Sequence, residues 1–392
     1  MSVNTMNFEQ AATVLNAIHS QVTGSAQIAP VNTKEFISVA QKTLATGYDP
    51  VLNAISQVIG KTIFSIRPYE SKFGGLEMDS LMWGAVTRKL TAADKPLTDN
   101  DAYSLTEGQS IDMYKVNKPN ILETKYMGFL TFSKDVTIFK NQLNAAFQGP
   151  EQFGSFMTMV AQNALDMIEQ TKENCARMCM ANFITGKADA NNGVIHLLTE
   201  YNTEMGFITP LTAQTVKEPA NFKPFIEWAY SRISTLTKLM TERSGLFQIP
   251  ITGYDINRHT PLRDQKVYLF TDLLNDIDAR VLANAYNYEF LKFSDVQSVS
   301  YWQNIDTRDE VQATPAYIDS ATGAITTAAN AVTVSPIMGV IFDRDAMGYT
   351  VADEEVAMTP YNTKGKYWNQ TYSYVLRYYN DFTEKGIILL LD

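Results

Sequence analysis

The stretch Gly149–Gly186, GPEQFGSFMTMVAQNALDMIEQTKENCARMCMANFITG, decides the predicted fold. Its apolar residues recur every three or four positions, which predicts one long α-helix with a single buried stripe. Pro150 suits the first turn and Gly186 the end of the helix, and ~35 residues span ~50 Å. The residues assigned to the buried stripe are Phe153, Phe156, Met157, Val160, Ala164, Met167, Ile168, Cys175, Met178, Cys179 and Phe183.

The opposite face of this helix is polar and is predicted to face solvent. Its residues are Gln162, Asn163, Asp166, Gln170, Lys172, Glu173 and Arg177. A helix with one apolar stripe lies on the surface of a domain, with a sheet and neighbouring elements packed on its apolar side. The helix is too polar to span a membrane.

The composition favours a soluble protein with large subunit contacts. The chain has 392 residues, a formal net charge of −10, 20 Tyr and 20 Phe, and only 19% of its residues are charged. The negative charge argues against a protein that holds nucleic acid through its overall field. Abundant aromatic side chains and few charges are typical of surfaces that pack on other subunits.

Three short amphipathic helices are predicted in residues 1–60, at Phe8–Ile18, at Thr33–Ala45 and after Asp49 and Pro50. None is long enough to be stable unless its apolar face packs on another part of a protein. These residues are therefore predicted to form an arm. The arm either docks on a neighbouring subunit or folds back on its own chain, and the sequence leaves both possibilities open.

A long β-hairpin is predicted after the arm. Thr62–Arg67, Met82–Leu90, Ile111–Val116 and Tyr126–Ser133 have the pattern of strands. The intervening tip, Thr91–Gly108, is polar and rich in turn residues. Since the tip offers little apolar surface for a core, we expect it to contact another subunit and not its own chain.

The remaining sequence alternates helices and strands, which predicts a mixed domain over about residues 200–345. Helices are expected at Phe225–Met240 and Asp272–Tyr286, with a buried strand at Val267–Phe270. Residues 303–335 are rich in Ala and Thr and are expected to form a surface loop or ribbon. Late strands are predicted at Gly339–Asp343, Tyr349–Ala357, Tyr367–Tyr379 and Ile387–Leu391.

No catalytic constellation stands out. Cys175 and Cys179 lie one helical turn apart among apolar residues, which favours packing in a core over zinc binding. Asp343, Asp345 and Asp353 belong to acidic clusters that could bind a cation, although turns and salt bridges are the commoner use of such residues. The sequence therefore predicts a protein that is not an enzyme, with no catalytic, cofactor-binding or metal-binding residues.

The order of these elements resembles that of the major capsid proteins of tailed bacteriophages. In both, an N-terminal arm precedes a long hairpin, a long spine helix, a mixed domain and late strands. Local passages also look like parts of capsid proteins. These passages are Glu173–Gly186, Pro261–Phe270, Asp276–Asp278, Gly339–Ala346 and Val351–Trp368.

The resemblance implies an α+β fold of five segments. These are the N-terminal arm at 1–60, the E-loop hairpin with flanking strands at 61–130, a peripheral domain with the spine helix at 131–199, an axial domain at 200–345, and returning peripheral strands with the final strand at 346–392. The implied function is that of a structural major capsid protein. Such a protein self-assembles into hexamers and pentamers that form an icosahedral shell around double-stranded DNA.

The resemblance also implies partners and a location. We expect the chain to bind itself, a separate scaffolding protein and a portal protein, to enclose DNA without specific binding, and to contact no membrane. A separate scaffolding protein is expected because residues 1–60 show no sustained heptads. The expected location is the virion, assembled in the host cytoplasm. The alternatives are an encapsulin-type nanocompartment shell and, from a different class, a metal-dependent hydrolase using Asp343, Asp345 and Asp353.

Overall fold

The computed structural model describes residues 7–25, 30–59, 72–78, 87–95, 97, 101–114, 116, 118–126, 128–280 and 296–392. Several sequence predictions lie wholly or partly outside these residues. They include the strand Thr62–Arg67, residues 82–86 of the strand Met82–Leu90, residues 96 and 98–100 of the tip Thr91–Gly108, and residues 281–286 of the helix Asp272–Tyr286. The side chains of residues 161–166 also lie outside the described ones, and with them the predictions for Gln162, Asn163, Ala164 and Asp166.

The first two helices begin where the sequence supplies capping side chains. The side-chain oxygens of Asn7 and Asn32 accept hydrogen bonds from the backbone N–H groups of Gln10 at 2.8 Å and Glu35 at 2.9 Å. The helices in the described ranges are α1 (Phe8–Thr23), α2 (Thr33–Ala45), α3 (Tyr48–Ile59), α4 (Lys140–Ala146), α5 (Pro150–Asp189), α6 (Leu197–Met205), α7 (Pro219–Thr241) and α8 (Thr271–Arg280).

The strands of the described residues form one five-stranded sheet, one three-stranded sheet and three two-stranded ribbons. Their bounds are β1 (Thr87–Ala92), β2 (Ile121–Tyr126), β3 (Gly128–Phe139), β4 (Val194–His196), β5 (Gln265–Phe270), β6 (Val296–Val299), β7 (Val311–Ala313), β8 (Ala316–Ile318), β9 (Ile325–Thr327), β10 (Val332–Val334), β11 (Ile337–Asp343), β12 (Met347–Met358), β13 (Tyr367–Asn380) and β14 (Gly386–Leu390).

The five-stranded sheet, in the order β4-β14-β11-β5-β6, lies at the centre of the largest core. Successive side chains of a strand point to opposite faces, and here both faces are covered by helices. The face toward α7 is formed by Val267, Leu269, Ile341, Ile387 and Leu389. The face toward the second half of α5 is formed by Tyr268, Phe270, Val340, Phe342, Ile388 and Leu390.

The three-stranded sheet, in the order β12-β13-β3, is antiparallel and lies along α5. Tyr372 and Tyr374 of β13 pack against Ile168 of the helix, while alternate residues of the strand are more exposed. Together the two sheets confirm the predicted late strands. The predicted ribbon at 303–335 is also confirmed, because β7 pairs with β10 and β8 pairs with β9.

The N-terminal helices α1, α2 and α3 pack on their own chain. Their apolar faces form one buried cluster with α4 and the first half of α5, in which Phe36 and Phe153 lie 5.8 Å apart between ring centroids. Trp368 of β13 joins this cluster and donates a hydrogen bond from Nε1 to Asp49 Oδ1 at 2.6 Å. Of the two possibilities that the sequence left open, the structure has the arm folded back on its own chain.

Helix α5 confirms the predicted spine, with Pro150 in its first turn, but it ends at Asp189 and not at Gly186. The glycine has a packing role instead. A Cβ at Gly186 would lie 2.7 Å from Cε1 of Phe382, so only glycine lets this ring approach the helix so closely.

On α5, two residues that were predicted to be buried are exposed, and two that were predicted to be exposed are buried. Met167 and Met178 were predicted in the buried stripe, yet their side chains are 43% and 39% exposed. Glu173 and Arg177 were predicted to face solvent, yet both are buried. Their burial is possible because the two charges neutralise each other, with Arg177 Nη2 lying 2.6 Å from Glu173 Oε1.

Candidate assembly surfaces

The predicted hairpin is confirmed, although its second strand lies later in the chain than expected. β1 pairs with β2 in antiparallel register, from Thr87 opposite Tyr126 to Ala92 opposite Ile121. The predicted strand Ile111–Val116 is wrong, since its described residues 111–114 form turns and irregular structure. The hairpin tip is therefore residues 93–120.

The hairpin tip exposes large apolar side chains. Leu97, Tyr103 and Met113 are 102%, 92% and 82% exposed. Several exposed apolar groups on one segment mark a surface that binds another molecule. The other exposed members are Leu105, Ile111, Tyr114 and Val116.

The base of the tip contacts its own chain, which corrects the expectation that the tip contacts only another subunit. Asp94 accepts hydrogen bonds from Arg243 Nη2 and, at 3.0 Å, from the backbone N–H of Asn257. Asn120 donates to the Gly253 carbonyl oxygen at 3.3 Å. These partners belong to the segment between α7 and β5, so the tip begins against that segment.

A buried carboxylate pair, Asp381 and Glu384, anchors the hairpin strands. The pair lies in the turn between β13 and β14, and Lys89 of β1 donates to Asp381 Oδ2 at 2.6 Å and to Glu384 Oε1 at 2.5 Å. Burial alone would raise the pKa of Asp381, but Lys89 and Thr383 hold that pKa below its usual value. Burial raises the pKa of Glu384 despite the nearby cations.

Arg258 adds a second cation to this carboxylate pair. Its Nη1 lies 3.3 Å from Glu384 Oε1, and its Nη2 donates to Thr91 Oγ1 of the hairpin at 3.0 Å. Arg258 therefore joins the hairpin, the carboxylate pair and the segment between α7 and β5. The described contacts that hold the hairpin on the body of the subunit include these polar and charged ones and a ring contact between Tyr126 and Tyr379, whose centroids lie 5.0 Å apart.

The outward side of α5 forms a second surface, which we name the methionine stripe. Its exposed residues are Gln152, Ser155, Met159, Met167, Gln170, Asn174 and Met178. None of these seven side chains is charged, and they lie on two parts of the helix, at 152–159 and at 167–178. Three exposed methionines on one side of a helix suit contact with another apolar surface.

Of the three aspartates of the hydrolase alternative, Asp343 and Asp345 lie at the end of β11 and in the turn after it, and Asp353 lies on β12. Asp343 is buried and accepts hydrogen bonds from Thr260 Oγ1 at 2.7 Å and the Asp345 backbone N–H at 2.8 Å. Asp353 is exposed on β12. Within the described part of the chain, no three His, Cys, Asp or Glu side chains are placed to hold a metal ion. Cys175 and Cys179 are both buried as free thiols.

Sequence reasoning missed the carboxylate pair and Lys89. The only signal was an acidic pair, Asp381 and Glu384, in a short turn between two predicted strands. Such a turn is normally solvated, and nothing in its sequence indicates a partner on a hairpin 292 residues away.

A family model for the Phi29-like phage major capsid protein matches residues 13–387. This chain belongs to that family. The capsid protein is thus a structural component of a phage virion that assembles with copies of itself. No curated protein matches the sequence.

Solved structures agree with the capsid protein at the level of fold. A chain in the capsid structure of Staphylococcus phage Andhra is 13% identical, with a TM-score of 0.58 over 84% of this chain and 87% of that chain. A chain in the structure of the head fiber and inner core protein gp22 of native bacteriophage P68 is also 13% identical, with a TM-score of 0.53 over 84% of this chain and 87% of that chain. Every helix in the described part of the capsid protein is too short or too polar to cross a bilayer.

Proposed function

We propose that this protein forms hexamers and pentamers that close an icosahedral shell around double-stranded DNA. The observation that carries the proposal is the family match over residues 13–387. The exposed tip and the methionine stripe support it, because they are two different uncharged or apolar surfaces on one chain. Contacts between unlike surfaces generate rings when the rotation closes, as hexamers and pentamers require.

The proposed subunit contact places the hairpin tip of one subunit on the methionine stripe of its neighbour. Leu97, Tyr103 and Met113 of the tip are almost fully exposed in the single subunit, so a neighbour gains their burial without unpacking any core. Methionine side chains adapt to irregular apolar partners, which suits a stripe that meets the same tip in both hexamers and pentamers.

Further partners belong to the proposal. A separate scaffolding protein and a portal protein complete assembly in the host cytoplasm, and the shell encloses DNA without reading its sequence. The net charge of −10 supports enclosure without strong binding. We assign no catalytic role and no cofactor to the chain. The division of the chain into segments that end at residues 60, 130, 199 and 345 stays a prediction. The pairing of β3 with β13 supports it, because these strands belong to the two segments assigned to the peripheral domain.

The test introduces one charge into each surface. Met113→Asp in the tip and Met159→Asp in the stripe are expected to leave the subunit folded by circular dichroism and to prevent shells in sedimentation and negative-stain images. A buried charge without a partner costs several kcal/mol in each of many repeated contacts. The matched controls are Ser110→Asp, an exposed tip residue, and Met159→Gln, which keeps the stripe uncharged.

The outcomes distinguish the proposed contact between tip and stripe from the proposed capsid function. Normal shells from both Asp variants would contradict the tip-on-stripe contact. Failure of the unmodified chain to form rings or shells with its co-expressed head proteins would contradict the capsid function itself. Shells filled with an enzyme instead of DNA would favour a nanocompartment.

A further inference from the structure

A fully buried lysine lies against the turn that carries the carboxylate pair, since a Cβ at Gly386, two residues after Glu384, would lie 3.6 Å from Lys187 Cε. Lys187 of α5 is 0% exposed, and its Nζ donates to the Phe247 carbonyl oxygen at 2.7 Å and to Asn192 Oδ1 at 3.1 Å. Both of these acceptors are neutral. Besides these hydrogen bonds, the negative charges of Asp381 and Glu384 favour the ammonium form of Lys187.

The charged and neutral forms of Lys187 are in balance near neutral pH. Burial lowers the pKa of Lys187 to about 7, although the negative charges of Asp381 and Glu384 act to raise it. The same two carboxylates are already bound by Lys89 of the hairpin. Lys89 of β1 and Lys187 of α5 therefore both interact with the negative charge of this carboxylate pair.

The other charged groups of this region have their own partners. Arg258 pairs with Glu384, and Lys385 donates to the Glu242 carbonyl oxygen at 2.5 Å and to Ser244 Oγ at 3.1 Å. Tyr126 and Tyr379 lie beside Asp381, and burial raises the pKa of both phenols, so they stay neutral. Of the cations around the pair, Lys89 and Lys187 are the two whose charges can replace each other.

We propose that lifting of the hairpin is coupled to proton uptake beside the carboxylate pair. When the hairpin lifts from the body of the subunit and removes Lys89, Lys187 takes up a proton from solvent. The lone pair of the neutral Lys187 amine binds the proton, so the region regains the positive charge that it lost with Lys89. The inference goes beyond shell formation, because it concerns the single subunit.

The sign of the pH dependence follows from the charges. Without Lys89 the two carboxylates are less neutralised, so the pKa of Lys187 is higher in the lifted state than in the docked state. Above about pH 7 the lifted state then holds a proton that the docked state lacks. Docking therefore strengthens as the pH rises from about 7, by at most tenfold per pH unit for one proton. Below about pH 7, Lys187 is protonated in both states and its contribution disappears.

The experiment measures hairpin docking in unassembled subunits. Donor and acceptor dyes at Ser110→Cys in the tip and Ile208→Cys on the exposed loop after α6 report the lifted fraction by single-molecule energy transfer between pH 6 and 9. The native Cys175 and Cys179 are buried and do not compete for dye. We expect the docked-to-lifted ratio to increase several-fold from pH 7 to 8, and Lys89→Met to lower this ratio at every pH.

Two variants test the role of Lys187. Lys187→Met removes the titrating group, and Asn192→Asp places a negative charge beside it, so that Lys187 stays protonated in both states. Either variant should remove the pH dependence between pH 7 and 9, while Lys385→Met should keep it. A ratio that does not change with pH in the unmodified chain would overturn the proposal. So would a pH dependence that survives in Lys187→Met or, if that variant does not fold, in Asn192→Asp.

Discussion

Arg177 lies at a buried contact between α5 and the residues that follow β6. Its Nε and Nη2 donate to Glu173 Oε1 at 3.0 and 2.6 Å, and its Nη1 donates to the carbonyl oxygens of Tyr301 at 2.5 Å and Trp302 at 3.2 Å. We expect Arg177→Met to lower the free energy of unfolding by about 3–5 kcal/mol, because the buried carboxylate of Glu173 loses the Arg177 charge beside it. Urea denaturation measures this loss.

A double variant separates charge from packing at this site. Glu173→Gln combined with Arg177→Met removes both charges, so it should be more stable than Arg177→Met alone. If the double variant is no more stable than the single one, the loss of the ion pair between Arg177 and Glu173 is not the cause of the destabilisation.

His19 makes the contact between α1 and α2 sensitive to acid. Its Nδ1 lies 2.9 Å from Thr43 Oγ1, whose hydrogen is donated to the Val39 carbonyl oxygen at 2.7 Å, so the neutral imidazole donates from Nδ1. Burial, and then the charge of Lys42, lower the pKa of His19 below its usual 6.5. The unfolded chain therefore binds this proton more readily than the folded chain does. The stabilisation is complete above about pH 6.5 and is lost as the pH falls below that value.

Thermal unfolding between pH 8 and 5 measures this effect. We expect the midpoint to fall below pH 6.5 in the unmodified chain and to fall less in His19→Asn, whose amide can still donate to Thr43. His259→Asn, a change at an exposed histidine, should behave like the unmodified chain. An equal fall in His19→Asn would assign the acid sensitivity to other groups.

At the scale of elements, the packing of α1–α3 changes what a truncation is expected to do. Read from the sequence, an arm bound to a neighbour could be removed without unfolding the rest. In the structure these helices cover Phe153, Met157 and Val160 of α5, and each large apolar side chain contributes ~1.5–3 kcal/mol when buried.

Removal of residues 1–50 is therefore expected to lower the thermal midpoint and to make the remaining chain aggregate. Circular dichroism melting and sedimentation of the truncated chain, beside the full chain, measure both effects. A truncated chain with an unchanged midpoint would show that α1–α3 act on a neighbour and not within the subunit.

Helix α5 also shows which parts of an element a sequence can specify. Repeated three-and-four spacing predicted a long helix because that pattern is local. The role of Gly186 was not predictable, since it depends on the ring of Phe382, far along the chain. Met167 and Met178 were assigned to the core by their apolar character, but apolar character does not tell a core from a surface that awaits another subunit.

At the scale of the whole molecule, the order of elements was predictable and the contacts between them were not. Hydrophobic patterns located the arm helices, the hairpin, α5 and the late strands, because each pattern lies within one element. Lys89, Lys187 and the carboxylate pair come from three distant parts of the chain, and no local pattern relates them. The second hairpin strand was misplaced because Ile111–Val116 alternates as well as Ile121–Tyr126 does, and strand pairing selects between them.

The position of β14 has a consequence for biosynthesis. β14 lies between β4 and β11 in the five-stranded sheet, although it follows both of them in the chain. A nascent polypeptide can therefore join β4 to the rest of the sheet only after translation has passed Leu390 and these residues have left the ribosome. Until then the apolar faces toward α5 and α7 stay incomplete. Chaperones are expected to hold this long intermediate, because its exposed apolar faces favour premature contacts between neighbouring chains on one messenger RNA.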